Sequence, residues 1–138
     1  MKKCDKTITL YNAKYDAERD LDVYNRTVIS GVSWFRKMTA SVVNSGLKTA
    51  DTVICRIPVD AKISGKSYVS HKVYEGLTQA ETEAFWTLKQ GDIIVYGEAT
   101  EESPIPAELL AKYDEVVTIL SITDDRGAKG SHWKVTGA

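Results

Sequence analysis

Proline, cysteine and histidine are scarce in this chain, with three, two and two among 138 residues, and neither sign of charge dominates, the formal total being −1. Each shortage excludes something. Two cysteines and two histidines, scattered singly as Cys4, Cys55, His71 and His132, do not form the clustered ligand spacing of a zinc site. No apolar run approaches the roughly 18 residues that would span a bilayer as a helix, and the basic start MKKCDK leads into no signal-like apolar stretch. A reducing, cytosolic setting with two free thiols is therefore expected, and the Asn25-Arg26-Thr27 sequon has no role to play there. The near-neutral total lacks the basic excess of a nucleic-acid-binding chain.

What is present suits one domain, expected to span residues 1–138, since a chain of this length buries a core without metal or disulfide staples. The charge is uneven along the chain. Residues 1–50 hold nine Lys/Arg against five Asp/Glu, and residues 51–138 nine against fourteen. Such asymmetry either mixes on the folded surface or brings unlike patches of neighbouring subunits together.

The pattern is that of strands. Thr7 to Tyr11 alternates β-branched polar with apolar residues, the period-two signal of a half-buried strand. Val23 to Val43 is rich in Val, Ile, Thr and Trp, is too long for an ordinary strand and is broken by Gly31, which predicts two strands or one bent strand. Asn44-Ser45-Gly46 supplies turn chemistry. The next strand, Asp51 to Val59, places Val53, Cys55, Ile57 and Val59 on one face and is predicted to end, or to lie at an edge, because Pro58 cannot donate to a ladder. Residues 60–88 form an irregular insertion, with a turn at Ser64-Gly65-Lys66 and a capping box at Thr78-Gln79-Ala80-Glu81. Strands follow at Ile93 to Tyr96, Val116 to Ile122 and His132 to Val135. Ser103-Pro104-Ile105-Pro106 leads into a helix at 107–112, and 124–130 reads as a polar turn. Seven or eight short strands with one or two minor helices predict a mainly β fold, an antiparallel β-barrel or β-sandwich.

The residues offer little chemistry. Gly65-Lys66-Ser67 lacks the first glycine of a phosphate loop, Asp60 standing in its place. No G-x-S-x-G elbow occurs, and the acid pairs Glu101-Glu102 and Asp124-Asp125 lie in polar segments. In KQGDIIVYGE (89–98), Gly91-Asp92 reads as a turn into a strand, neither a phosphate cradle nor a catalytic acid. No catalytic residue, metal or cofactor is expected, and the chain reads as a non-enzyme. The aromatics Tyr68, Tyr74, Phe85 and Trp86 carry two readings, an anchored core or the hot spots of a protein interface. Around them Lys72 faces Glu75, Glu81 and Glu83, which weighs against a stacking platform for single-stranded nucleic acid.

Taken in order, ITLYNAKYD (8–16), VYNRTVISGVSWF (23–35), TVICRIPVDA (52–61), WTLKQGDIIVYGE (86–98), YDEVVTILSITDDRG (113–127) and HWKVTG (132–137) resemble a small uncharacterised family of phages and prophages of Gram-positive gut bacteria. More loosely, the order of elements is similar to the head-completion or head–tail joining neck proteins of tailed phages. That resemblance implies a structural protein with no cofactor that assembles with itself as a ring and meets portal, connector or tail proteins. It implies no membrane and no specific nucleic acid as partner. Its place would be the host cytoplasm during assembly and then the virion, with the insertion at 60–88 reaching a neighbour. An oligonucleotide-binding barrel and a small hydrolase using Asp92 with His71 or His132 stand as the alternatives.

Overall fold

The computed structural model describes residues 4–43, 46–63, 65–102, 104, 106–127 and 131–138, with the backbone alone for 38–43 and 46–51. Among them run nine strands: β1 (Lys6–Asp16), β2 (Leu21–Val43), β3 (Gly46–Pro58), β4 (Lys62–Ile63), β5 (Ser67–Tyr68), β6 (Phe85–Trp86), β7 (Ile93–Tyr96), β8 (Val116–Asp125) and β9 (His132–Gly137). Two short helices, α1 (His71–Glu75) and α2 (Pro106–Lys112), and a 3-10 turn at Glu81–Ala84 complete them. The fold is mainly β, as expected. The turns expected at 44–46, 64–66, 103–106 and 124–130 fall wholly or partly outside the described residues.

The long run 21–43 is one bent strand. Its first half pairs antiparallel with β1 and its second half with β3, the change falling at Val32 and Ser33 beside Gly31. Gly31 sits at φ +87, a left-handed conformation that side-chain-bearing residues rarely adopt, and it lets the strand pass from one sheet to the other. Strand β8 turns a second corner at an irregularity between Ile119 and Ser121, pairing with β7 before it and mainly with β9 after it. The pairings run from β1 through β2, β3, β9, β8 and β7 and back to β1. The result is a barrel-like sandwich whose two sheets share β2 and β8, with β7 contributing only four residues to the circuit.

Alternation along β7 shows why IIVY is apolar throughout. Ile94 faces the main core with Ile8, Leu10, Ile29, Val53, Cys55, Ile119 and Val135. Ile93 and Val95 face the other way, into a second cluster with Tyr11, Ala99 and Leu109. Helix α2 supplies Leu109 to that outer cluster and so covers the sheet. The cover corrects the half-buried reading of residues 7–11: Ile8, Thr9, Leu10 and Tyr11 are all fully buried, and the Thr9 hydroxyl donates to Gly97 O (2.9 Å) and accepts from Ala99 N (2.8 Å).

Strand β3 does end at Pro58, and Val53, Cys55 and Ile57 are buried, but Val59 lies beyond the strand and is 53% exposed. Burial pushes the Cys55 thiol up to about 12, and neither cysteine is in a disulfide. Residues 60–88 hold more order than their sequence shows. The capping pair forms in both directions, Thr78 N to Glu81 Oε1 (2.8 Å) and Glu81 N to Thr78 Oγ1 (3.2 Å). Strands β5 and β6 pair in parallel, the exception to an antiparallel fold. No helix among the described residues is long and apolar enough to cross a membrane.

Candidate functional site

The four aromatics singled out above do not form one exposed patch. Trp86 and Tyr74 are 1% and 2% exposed. Tyr68, Trp86 and Trp133 stack as a trio with centroids 4.7–5.2 Å apart, in tilted and edge-on arrangements that suit the ring quadrupoles. Arg126 lies over Tyr68 and Trp133 at 5.0 and 5.1 Å, held by a paired contact with Asp124. The Tyr74 hydroxyl accepts from Asn25 Nδ2 at 2.8 Å, tying α1 to β2. Phe85 is half-buried and pairs through its backbone with Ser67. These side chains fasten the 60–88 segment to its own core, which leaves Tyr74 and Trp86 little surface for a partner.

Asp92 is the second surprise. It is fully buried, although its turn forms as read, with Asp92 N donating to Lys89 O (3.1 Å) across Gly91 at φ +96. Its carboxylate accepts from Asn12 Nδ2 (2.8 Å) and Ala13 N (3.0 Å). Asn12 also donates to Thr87 O (2.8 Å) and accepts from Thr87 N (3.2 Å). The knot stitches β1 to the 87–92 turn. Desolvation raises the Asp92 carboxyl to about 6 against the pull of those hydrogen bonds. His71 is an exposed residue of α1, and His132 Nε2 lies 3.6 Å from Asp125 Oδ2. The protein-donated hydrogen bonds to the Asp92 carboxylate therefore come from Asn12 and Ala13, not from a histidine.

The feature that sequence reasoning missed is the outer part of the β2–β3 hairpin. The ladder runs from Ser33↔Arg56 to Val43↔Gly46, whereas β9 accompanies β3 only over Val53–Pro58. Among the described pairings, the seven from Lys37↔Thr52 outward join only each other, a two-stranded ribbon roughly 20 Å long. Its base is pinned. Trp34 stacks on Tyr96 at 5.1 Å, and Glu115 Oε1 accepts from Trp34 Nε1 (3.4 Å) and from Arg36 Nε and an Arg36 terminal nitrogen (3.0 and 2.8 Å). At the base Phe35 is exposed. The sequence signal for the ribbon was the unusual length of the 23–43 run.

A mainly β, barrel-like sandwich carrying an extended hairpin defines the class. Within it, the chain belongs to the family of unknown function DUF6751, whose model matches residues 3–138. No curated protein and no solved structure matches the chain.

Proposed function

We propose that this protein is a non-enzymatic assembly component that associates with copies of itself through the β2–β3 ribbon, and that it serves as a phage or prophage structural protein in head–tail joining. The observation that carries the assembly reading is the ribbon itself. An isolated two-stranded hairpin is at best marginally stable in water, so seven pairs beyond the last flanking strand call for a surface to lie on. Charge supports a second copy as that surface. With Arg36 already paired to Glu115, Lys37 and Lys48 outweigh Asp51 on this hairpin in the sequence. Glu98, Glu102, Glu108 and Asp114, all exposed, belong to no ion pair among the described residues. Unlike patches on one chain make a heterologous contact, which closes into a ring when the rotation allows. The head–tail assignment rests on the sequence resemblance alone.

Sedimentation velocity tests the assembly reading. The native chain is expected to sediment as a concentration-dependent oligomer. A variant in which residues 38–51 are replaced by Asn-Gly, a two-residue turn that suits the Lys37↔Thr52 pair, is expected to run as a folded monomer. Equal sedimentation of the two chains would overturn it.

A further inference from the structure

We propose that the groove between β2 and residues 61–63 and 66 is a binding site for a compact phosphate-type oxyanion, with Arg26 and Lys66 as its charged ligands. The groove has a volume of about 790 Å³ and is lined by Arg26, Lys62 and Lys66 with the hydroxyls of Thr27 and Ser30, and with Glu98 as its one carboxylate. Arg26 and Lys66 also line a smaller recess of about 180 Å³, so both cations stand where the two hollows meet.

Both are held in place by neutral groups. Lys66 Nζ donates to Arg26 O at 2.8 Å and Thr27 Oγ1 at 3.0 Å, which among the described residues leaves one of its three N–H bonds uncommitted. Arg26 Nε donates to Ala99 O, and the guanidinium lies beside the Tyr11 hydroxyl, which itself donates to Glu101 O at 2.7 Å. Neither cation belongs to an ion pair among the described residues. Their charges repel each other, and burial together with that repulsion holds the Lys66 amine below its ordinary value even though Glu83 pulls the other way. Two adjacent, partly desolvated cations positioned by carbonyls and a hydroxyl form a preorganised anion seat. A planar fork, an ammonium and two hydroxyls present donors in more directions than a carboxylate uses, which favours a tetrahedral oxyanion. The carboxylates of Glu83, Glu98 and Glu102 around the two hollows disfavour a long polyanion and select a compact one.

The probe is inorganic phosphate, compared with chloride at equal ionic strength, on the full-length chain. Phosphate is expected to raise the melting temperature and to bind saturably. Arg26→Gln and Lys66→Met, checked for native circular dichroism, should each weaken binding about tenfold or more, while Lys72→Ala on the exposed face of α1 leaves it unchanged. A terminally phosphorylated oligonucleotide that competes with phosphate, where its unphosphorylated counterpart does not, assigns the oxyanion to a nucleic-acid end. Failure of both to compete assigns it to free phosphate. Identical melting in phosphate and chloride overturns the proposal without recourse to any variant, and so does an undiminished phosphate response in folded Lys66→Met. Neither result depends on the assembly state.

Discussion

Asp92 shows how much a residue's meaning depends on partners far along the chain. Its letter and its glycine neighbour place it correctly in a turn, but Asn12, 80 positions away, converts it into a buried knot. No local pattern carries that information. The pH consequence is specific. An aspartate raised to about 6 in the folded chain from an ordinary 3.8 binds its proton more tightly when folded. Its contribution to stability is therefore fully present below about pH 4 and is lost as pH rises through about 6, a change of about 3 kcal/mol. The half-buried Glu101, held down from 4.5 to about 2 chiefly by the Tyr113 hydroxyl, acts in the opposite sense, its share fading as pH falls from about 4.5 through about 2. Urea unfolding of the native chain and Asp92→Asn from pH 4 to pH 7 separates the two. The native profile should fall relative to that of the variant between pH 4 and 6.5, and parallel profiles would show that Asp92 titrates as an ordinary carboxylate.

Among the elements, strands whose periodicity is local were legible from the sequence, with β7, α2 and the end of β3 at Pro58 falling where the residue types put them. What a strand packs against was not. Thr9 looks solvent-facing until α2 and the Ala99 segment cover it, and Trp86 and Tyr74 stand open between core and interface until Tyr68 and Trp133 close round one and β2 takes the other. Truncating Trp86 to alanine should accordingly destabilise the monomer by about 3–5 kcal/mol, as for any large buried aromatic, measured by equilibrium unfolding at a concentration low enough to exclude association. A loss below 1 kcal/mol would return Trp86 to the surface. The corner in β2 makes a second demand. Gly31→Ala meets no atom closer than Ala61 Cα at 3.9 Å, so its cost is one of backbone conformation, about 1–2 kcal/mol at φ +87. A neutral substitution would mean that the strand turns elsewhere.

For the whole molecule, the sequence shows a charge asymmetry without showing where the charges go. The fold extends the β2–β3 hairpin as a ribbon, pairs Arg36 at its base with Glu115, and leaves exposed carboxylates near α2 without ion-pair partners among the described residues. Topology was the illegible part, because closure of the circuit depends on β1 meeting both β2 and β7, pairings set by the corners and not by any strand's own pattern. In the proposed assembly the ribbon finds its missing surface on another copy of the chain. Hydrogen exchange at the amides of 38–43 and 46–51, followed as protein concentration is raised, tests it most directly. The account predicts fast exchange in dilute solution and protection that grows with concentration over these amides, while the amides of β7 stay protected throughout. Ribbon amides whose exchange is the same at every concentration would contradict it.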